Sequence, residues 1–290
     1  MTETAWLRLL LSVPAARAEA VAELLTERGA ASVTLQDAGT QPLYEPPPGA
    51  TPLWSLTRVI GLFPRRAALD AALARLDAAE RSGARVESLA QRDWLRESRR
   101  GFEVLRFGRR LAVHPSWLEP PEAEATLHLD PGLAFGTGTH PSTAMCLEWL
   151  DARTLAGRTV TDYGCGSGIL ALAALKLGAR SALAIDIDPQ ALTATRANAE
   201  RNGLDARVET ATPVLAPVRE ADILLANILA GPLEELAPEL AGRVRIGGRI
   251  ALAGVLAGQA GPLIVAYAPW FDLAIGARRG EWVLLSGIRR

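Results

Sequence analysis

The chain has almost no lysine. Lys176 is the single one, and arginine carries the rest of its positive charge. So one-sided a usage reflects coding preference rather than chemistry, and no function is read from it. Cysteine is nearly as scarce: Cys146 and Cys165 are too few for a zinc site of the usual four ligands without other residue types, and their spacing frames no disulfide scaffold. A reducing cytoplasm is therefore expected. Net charge is lacking too, at −1 formally, so no global positive field draws the chain to nucleic acid or anionic membrane, although a local basic patch is still possible. No apolar run reaches the roughly 18 to 20 residues that span a bilayer. The N-terminus carries Glu3 before its apolar run, which Arg8 and Pro14 interrupt, unlike a secretory signal. Neither export nor membrane insertion is expected.

What is present is enough for one large globular domain and a smaller one: 290 residues, 49% of them hydrophobic. Periodicity reads Trp6 to Val13 as a strand, Ala15 to Arg28 as an amphipathic helix closed by Gly29, and Ser32 to Gln36 as a strand. After a loop rich in proline and glycine, Thr57 to Phe63, Arg66 to Arg81 and Arg85 to Leu89 repeat the order strand, helix, strand. That order, βαββαβ, is the ferredoxin-like unit, and it sets a first domain at residues 1–90. A charge-dense stretch punctuated by Trp94 reads as a linker helix at 91–101, with an ordinary surface helix as the alternative. The second domain, 102–290, opens with short strands at Arg110 to His114 and Ala125 to Leu129, and a helix at Pro141 to Leu150. From Arg158 onward strands and helices alternate, with one helix expected over Pro232 to Gly242. Such alternation predicts an α/β domain with a doubly wound, Rossmann-like sheet. Its last two strands, Phe271 to Ala277 and Glu281 to Ser286, are close enough for an antiparallel hairpin, so the final strand runs antiparallel.

The chemistry concentrates at strand ends. Thr159 to Asp162 is a buried-type strand ending in an acid, and it enters a loop with Gly164, Gly166 and Gly168 at every second position before a helix. Glycine there allows the backbone to lie against a ligand and to take positive φ. The register is wrong for a dinucleotide pyrophosphate, and a diphosphate is poorly served by a carboxylate. The ammonium group of a methionyl moiety is well served by Asp162 or its neighbours. Asp186, at the end of the next strand, suits both hydroxyls of a ribose, while Asp188 before Pro189 reads as a helix cap. Together these features point to S-adenosylmethionine. Asn227 ends the fourth strand on the same rim, where its side-chain carbonyl could orient an amine nucleophile and leave the lone pair free. Read as a plain turn residue it is ordinary. The run Gly132 to His140, followed by Thr143, suits a flap over a ligand, or a plain surface loop. His140, just before Pro141, reads as a capping or loop residue rather than a base.

The segments Leu129 to Pro141 (LDPGLAFGTGTHP), Asp162 to Leu170 (DYGCGSGIL), Ala184 to Pro189 (AIDIDP) and Ala226 to Ala230 (ANILA) closely resemble the ribosomal protein L11 methyltransferase family, PrmA. The resemblance spans essentially the whole chain. It implies S-adenosyl-L-methionine as cofactor, with contacts at Thr143, Gly164, Asp186 and Asn227. It also implies ribosomal protein L11 as the substrate, methylated on lysine ε-amino groups and the N-terminal α-amino group, with the N-terminal domain gripping the substrate and swinging on the linker. From the residues themselves Asp162 and Gly166 join the expected cofactor contacts, Asn227 is the expected catalytic residue, and no metal is expected. No direct dependence on nucleic acid is expected either. The rival readings are a nucleic-acid N-methyltransferase, since an asparagine there also suits exocyclic base amines, and a binding module without catalysis. Aliphatic Ile228, Leu229 and Ala230 weigh against the first, and the intact glycines and Asp186 against the second.

Overall fold

The computed structural model describes residues 6–40, 52–89, 103–130 and 138–290. The expected linker helix at 91–101 and most of the expected flap therefore lie outside the described residues. The chain divides into two compact units, Met1–Gly101 and Phe102–Arg290.

The first unit is built on four antiparallel strands: β1 (Trp6–Pro14), β2 (Ser32–Asp37), β3 (Leu56–Phe63) and β4 (Arg85–Leu89), in the order β2-β3-β1-β4. That is the ferredoxin-like order. Alternation along β1 buries Leu9, Leu11 and Val13, and helix α1 (Ala15–Glu27) covers them with Ala18, Val21 and Leu25. The second helical segment departs from expectation. Periodicity predicts a single helix over Arg66 to Arg81, but the chain makes α2 (Arg66–Leu73) and α3 (Ala78–Gly83). The break has a local cause, because Asp77 starts a new helix with a capping box: its carboxylate accepts the Glu80 N–H at 2.7 Å and the Glu80 side chain accepts the Asp77 N–H at 3.0 Å. Glu80 is drawn inward by the same arrangement and accepts from Arg17 at 2.8 Å.

The second unit opens with a small sheet of β5 (Leu105–Phe107), β6 (Leu111–His114) and β7 (Ala125–His128), in which three-residue β5 is too short to leave a periodic signal. Helix α4 (Pro141–Asp151) follows. The main sheet then takes the order β10-β9-β8-β11-β12-β14-β13, from β8 (Thr159–Tyr163), β9 (Ser181–Ile185), β10 (Val208–Ala211), β11 (Ala221–Asn227), β12 (Val244–Leu256), β13 (Ala274–Arg279) and β14 (Trp282–Ile288). The first five are parallel, and β14 runs antiparallel between β12 and β13, as expected of the last strand. Crossover helices α5 (Ile169–Lys176) and α6 (Pro189–Arg201) follow β8 and β9. Burial on both faces explains the near-continuous apolar strands: Ala182, Ala184, Ile223 and Leu225 enter one core, while Leu183, Ile185, Leu224 and Ala226 enter the other. The helix expected over Pro232 to Gly242 is two, α7 (Ala230–Glu235) and α8 (Ala237–Gly242). Pro238 lacks the N–H to continue a helix, and it sits instead in the first turn of the second piece.

Candidate active site

The carboxyl ends of β8, β9 and β11 meet at the reversal of strand order, where open α/β sheets bind ligands. The turn after β8 is fixed from several sides. Gly164 and Cys165 donate to the Ile185 carbonyl at 2.8 and 3.0 Å, the Thr195 hydroxyl donates to the Gly166 carbonyl at 3.1 Å, and Asn198 Nδ2 donates to the Ser167 carbonyl at 2.8 Å. Thr195 and Asn198, both buried on α6, thus hold the loop from beneath. Sequence reasoning passed over them, although their spacing of three residues on one helix face was readable.

Gly164, Gly166 and Gly168 all have positive φ, at 78°, 54° and 79°. Their need for glycine is partly internal to the protein. A Cβ on Gly164 would stand 2.2 Å from Ile228 Cγ2, and one on Gly254 would stand 2.3 Å from the Ile228 carbonyl oxygen. Ile228 is therefore clamped between two glycines, which fixes the chain immediately after Asn227.

Asp162 is not at the mouth of the loop, as its position in the sequence suggests, but fully buried beneath it. Its Oδ2 accepts the Ala171 N–H at 3.0 Å, satisfying a donor in the first turn of α5. Its Oδ1 has no partner among the described residues. Burial, with a smaller push from the Asp186 charge, raises this carboxyl to about 7.

Asp186 is half-buried at the end of β9, with Oδ2 accepting from Gly166 N–H and Oδ1 from Asp188 N–H, each at 2.9 Å. Each oxygen keeps a second lone pair for a ligand hydroxyl. Asp188 caps α6 through the Gln190 N–H at 2.8 Å, as expected. Next to Asp186, Ile187 is 82% exposed, an apolar side chain held in solvent on the ligand rim. The sequence reading missed it, because an isoleucine between two acids blends into the apolar strand.

Asn227 ends β11, and its Nδ2 donates to Thr143 Oγ1 at 3.0 Å. The fold thus joins two expected site residues 84 positions apart, one on the strand end and one buried in the first turn of α4. His140 caps that helix: its Nδ1 faces the Ser142 hydroxyl at 2.7 Å, and its ring packs edge-on against Trp282 at 4.6 Å. Partial burial lowers its pKa. Both observations agree with a capping rather than a catalytic histidine. Of the expected flap, only Gly138, Thr139 and His140 are among the described residues.

The family model for ribosomal protein L11 methyltransferase matches residues 5–290. The chain belongs to that family. A protein named ribosomal protein L11 methyltransferase from Pseudomonas aeruginosa is 53% identical over 98% of this chain and 99% of its own length. One of the same name from Edwardsiella ictaluri is 49% identical over the same shares. A solved structure of ribosomal protein L11 methylase from Lactobacillus delbrueckii subsp. bulgaricus is 33% identical, with a TM-score of 0.59, and covers 65% of this chain and 100% of that one. The chain is accordingly a methyltransferase, and the rim of glycine loop, Asp186, Thr143 and Asn227 is its candidate active site. Among the described residues no helix is long and apolar enough to cross a membrane, and no group of three or more His, Cys, Asp or Glu could hold a metal ion.

Proposed function

We propose that this methyltransferase takes its methyl group from S-adenosyl-L-methionine and places it on amines of ribosomal protein L11, both lysine ε-amino groups and the N-terminal α-amino group. The observation that carries the reading is the Asn227 amide, tethered by Thr143 beside the glycine loop and one strand away from Asp186. The residues fit the cofactor. Asp186 has lone pairs for ribose hydroxyls, Ile187 offers an exposed apolar contact for a base, and Asp162 Oδ1 is a buried acceptor lacking a donor such as an ammonium. Gly164 and Gly166 give the backbone approach.

S-adenosylmethionine supplies an electrophilic methyl carbon on a sulfonium. The protein's own task is to align a neutral amine for in-line attack. With its NH₂ on Thr143, Asn227 turns its carbonyl oxygen outward to accept an amine N–H, which leaves the nitrogen lone pair free. A lysine amine, which in water titrates near pH ~10.4, must first lose a proton. His140 is committed to its helix cap, so the proton passes to solvent as the amine is desolvated. The ferredoxin-like unit, residues 1–90, recognises the protein substrate, 91–101 links it to the catalytic unit 102–290, and the site of action is the cytoplasm, where a ribosomal protein is made.

Incubation of the purified protein with S-adenosylmethionine labelled on the methyl group, L11 and ribosomal RNA tests this. Label should enter L11 in the absence of RNA. Label found only in RNA would replace this reading with the nucleic-acid one.

A further inference from the structure

The best-formed clefts of the catalytic unit do not lie at the methyl-transfer rim. One, of about 590 Å³, opens at the amino-terminal edge of the sheet and is lined by Arg153, Thr154, Arg158, Asp222, Arg245 and Arg249. β11 starts beside it at Ala221 and Asp222 and reaches the rim only at Asn227, so the two places are separated by about 17 Å of strand.

Arginine itself is no signal in a chain that uses it for almost every positive charge. The signal is how these four are held and how little negative charge faces them. Asp222 is the only carboxylate lining this cleft, and both Arg158 (3.1 Å) and Arg245 (2.8 Å) pair with the same oxygen of it. Its other oxygen accepts the backbone N–H and hydroxyl of Thr159, at 2.9 and 3.0 Å. Asp222 is thus fully engaged as an anchor, and it offsets one of four positive charges. Arg153 lies flat over the Trp149 ring, 3.5 Å from its centroid, and donates to the Trp149 carbonyl. Neither Arg153 nor Arg249 makes an ion pair with a described residue. Burial and the nearby charge of Arg249 lower Arg153 to about 10, the mark of guanidinium groups crowded without a counter-charge.

A second cleft of about 510 Å³ adjoins the first through the shared residues Ala152, Arg153 and Thr154, and it adds Arg109 and Arg110. Its two carboxylates are already engaged: Asp151 accepts the backbone N–H groups of Arg109, Arg110 and Leu111, and Glu148 pairs with Arg279. The two clefts form one basic track along the sheet edge, on residues 108–249 of the catalytic unit alone. Rigid guanidinium forks spaced along a track match successive phosphate oxyanions. An acidic peptide would in addition need an apolar anchor point, and the lining offers only Ala152 and the buried Ile223. With no aromatic side chain lining either cleft, the contact would be to the backbone and independent of sequence.

We propose that this arginine-lined groove is a second ligand site that takes the phosphodiester backbone of RNA, separate from the methyl-transfer site and not required for methylation of free protein substrate.

The test is fluorescence anisotropy of a labelled single-stranded RNA with the full-length protein over a range of salt concentrations, with inorganic phosphate and poly-glutamate as competitors. Wild-type protein should bind RNA with an affinity that falls steeply with salt, and phosphate should compete. Arg249→Glu, at an exposed position, should weaken binding by tenfold or more while leaving methylation of free L11 within about twofold. The double variant Arg153→Gln with Arg249→Gln should also reduce the salt slope by about 2, one for each lost phosphate contact. Absence of RNA binding by wild type at low salt, or equal binding by wild type and Arg249→Glu, would overturn the proposal. Competition by poly-glutamate as strong as by RNA would overturn it in favour of an acidic protein partner.

Discussion

At the residue scale the account turns on two polar side chains whose positions follow from the strand ends that carry them. Asn227→Ala should lower kcat by about 100-fold, because alignment rather than acid–base chemistry is what the amide supplies. Cofactor affinity, read by calorimetry, should change far less. Thr143→Val should lower kcat by about tenfold by freeing the amide, and Thr143→Ser, which keeps the acceptor, should restore most of it. Equal activity of the valine and serine variants would mean that the 3.0 Å contact orients nothing. Asp162 makes a pH prediction. Its carboxyl is pushed up to about 7 from an ordinary 3.8, so the folded protein holds the proton more tightly than the unfolded chain. The stability this contributes is full below about pH 4 and is lost as pH rises through 7. A bound ammonium favours the ionised form, so cofactor binding should tighten over the upper part of that window. Calorimetric titrations between about pH 6 and 8 should show affinity rising several-fold for wild type and flat for Asp162→Asn. Of these residues, Asn227, Asp186 and the glycines could be picked out because strand, acid or amide, and helix follow in a fixed order. The depth of Asp162 could not, since nothing local says that the next helix folds back over it. Ile187 was hidden for the opposite reason, its exposure being a property of the rim rather than of its neighbours in sequence.

At the scale of elements, the turn after β8 and the turn after β11 form one device, in which Ile228 packs into the space that Gly164 and Gly254 leave open. Gly164→Ala combines a positive φ with a 2.2 Å clash against Ile228 Cγ2, and should cost about 2 to 3 kcal/mol in urea denaturation. In an Ile228→Ala background the clashing methyl is gone, and the cost should fall to about 1 kcal/mol, the backbone term alone. An unchanged cost would show that the clamp does not exist. Elements with strong periodicity were readable, including all five parallel strands of the main sheet. Those that depend on a few residues were not. The capping box at Asp77 and the proline at 238 each divide a helix whose apolar pattern runs on unbroken, and β5 is three residues long. Periodicity reports which side chains face the core, and a helix can stop and restart without changing that.

At the scale of the whole molecule, division of labour between the two units is the proposal with the widest consequences. A fragment of residues 102–290 should bind cofactor nearly as well as the full chain, yet lose methylation of L11 by 100-fold or more, roughly the loss expected when a positioning contact is removed from a bound substrate. Full activity of the fragment would assign substrate recognition to the catalytic unit instead. The order of the ferredoxin-like unit was legible from its repeated strand, helix, strand pattern, and the order of the catalytic unit from its alternation. Nothing in either pattern encodes the basic groove, which forms where Arg153, Arg158 and Arg249, far apart in sequence, meet at the sheet edge. The most direct test of the central claim is intact-mass spectrometry of L11 after incubation with S-adenosylmethionine and either the wild-type protein or Asn227→Ala, followed by peptide mapping. Wild type should add whole methyl groups to L11 at lysine side chains and the N-terminal amine, and the variant should add almost none in the same time. An unmodified L11 after prolonged incubation with wild type, or modification equal in the two reactions, would contradict it.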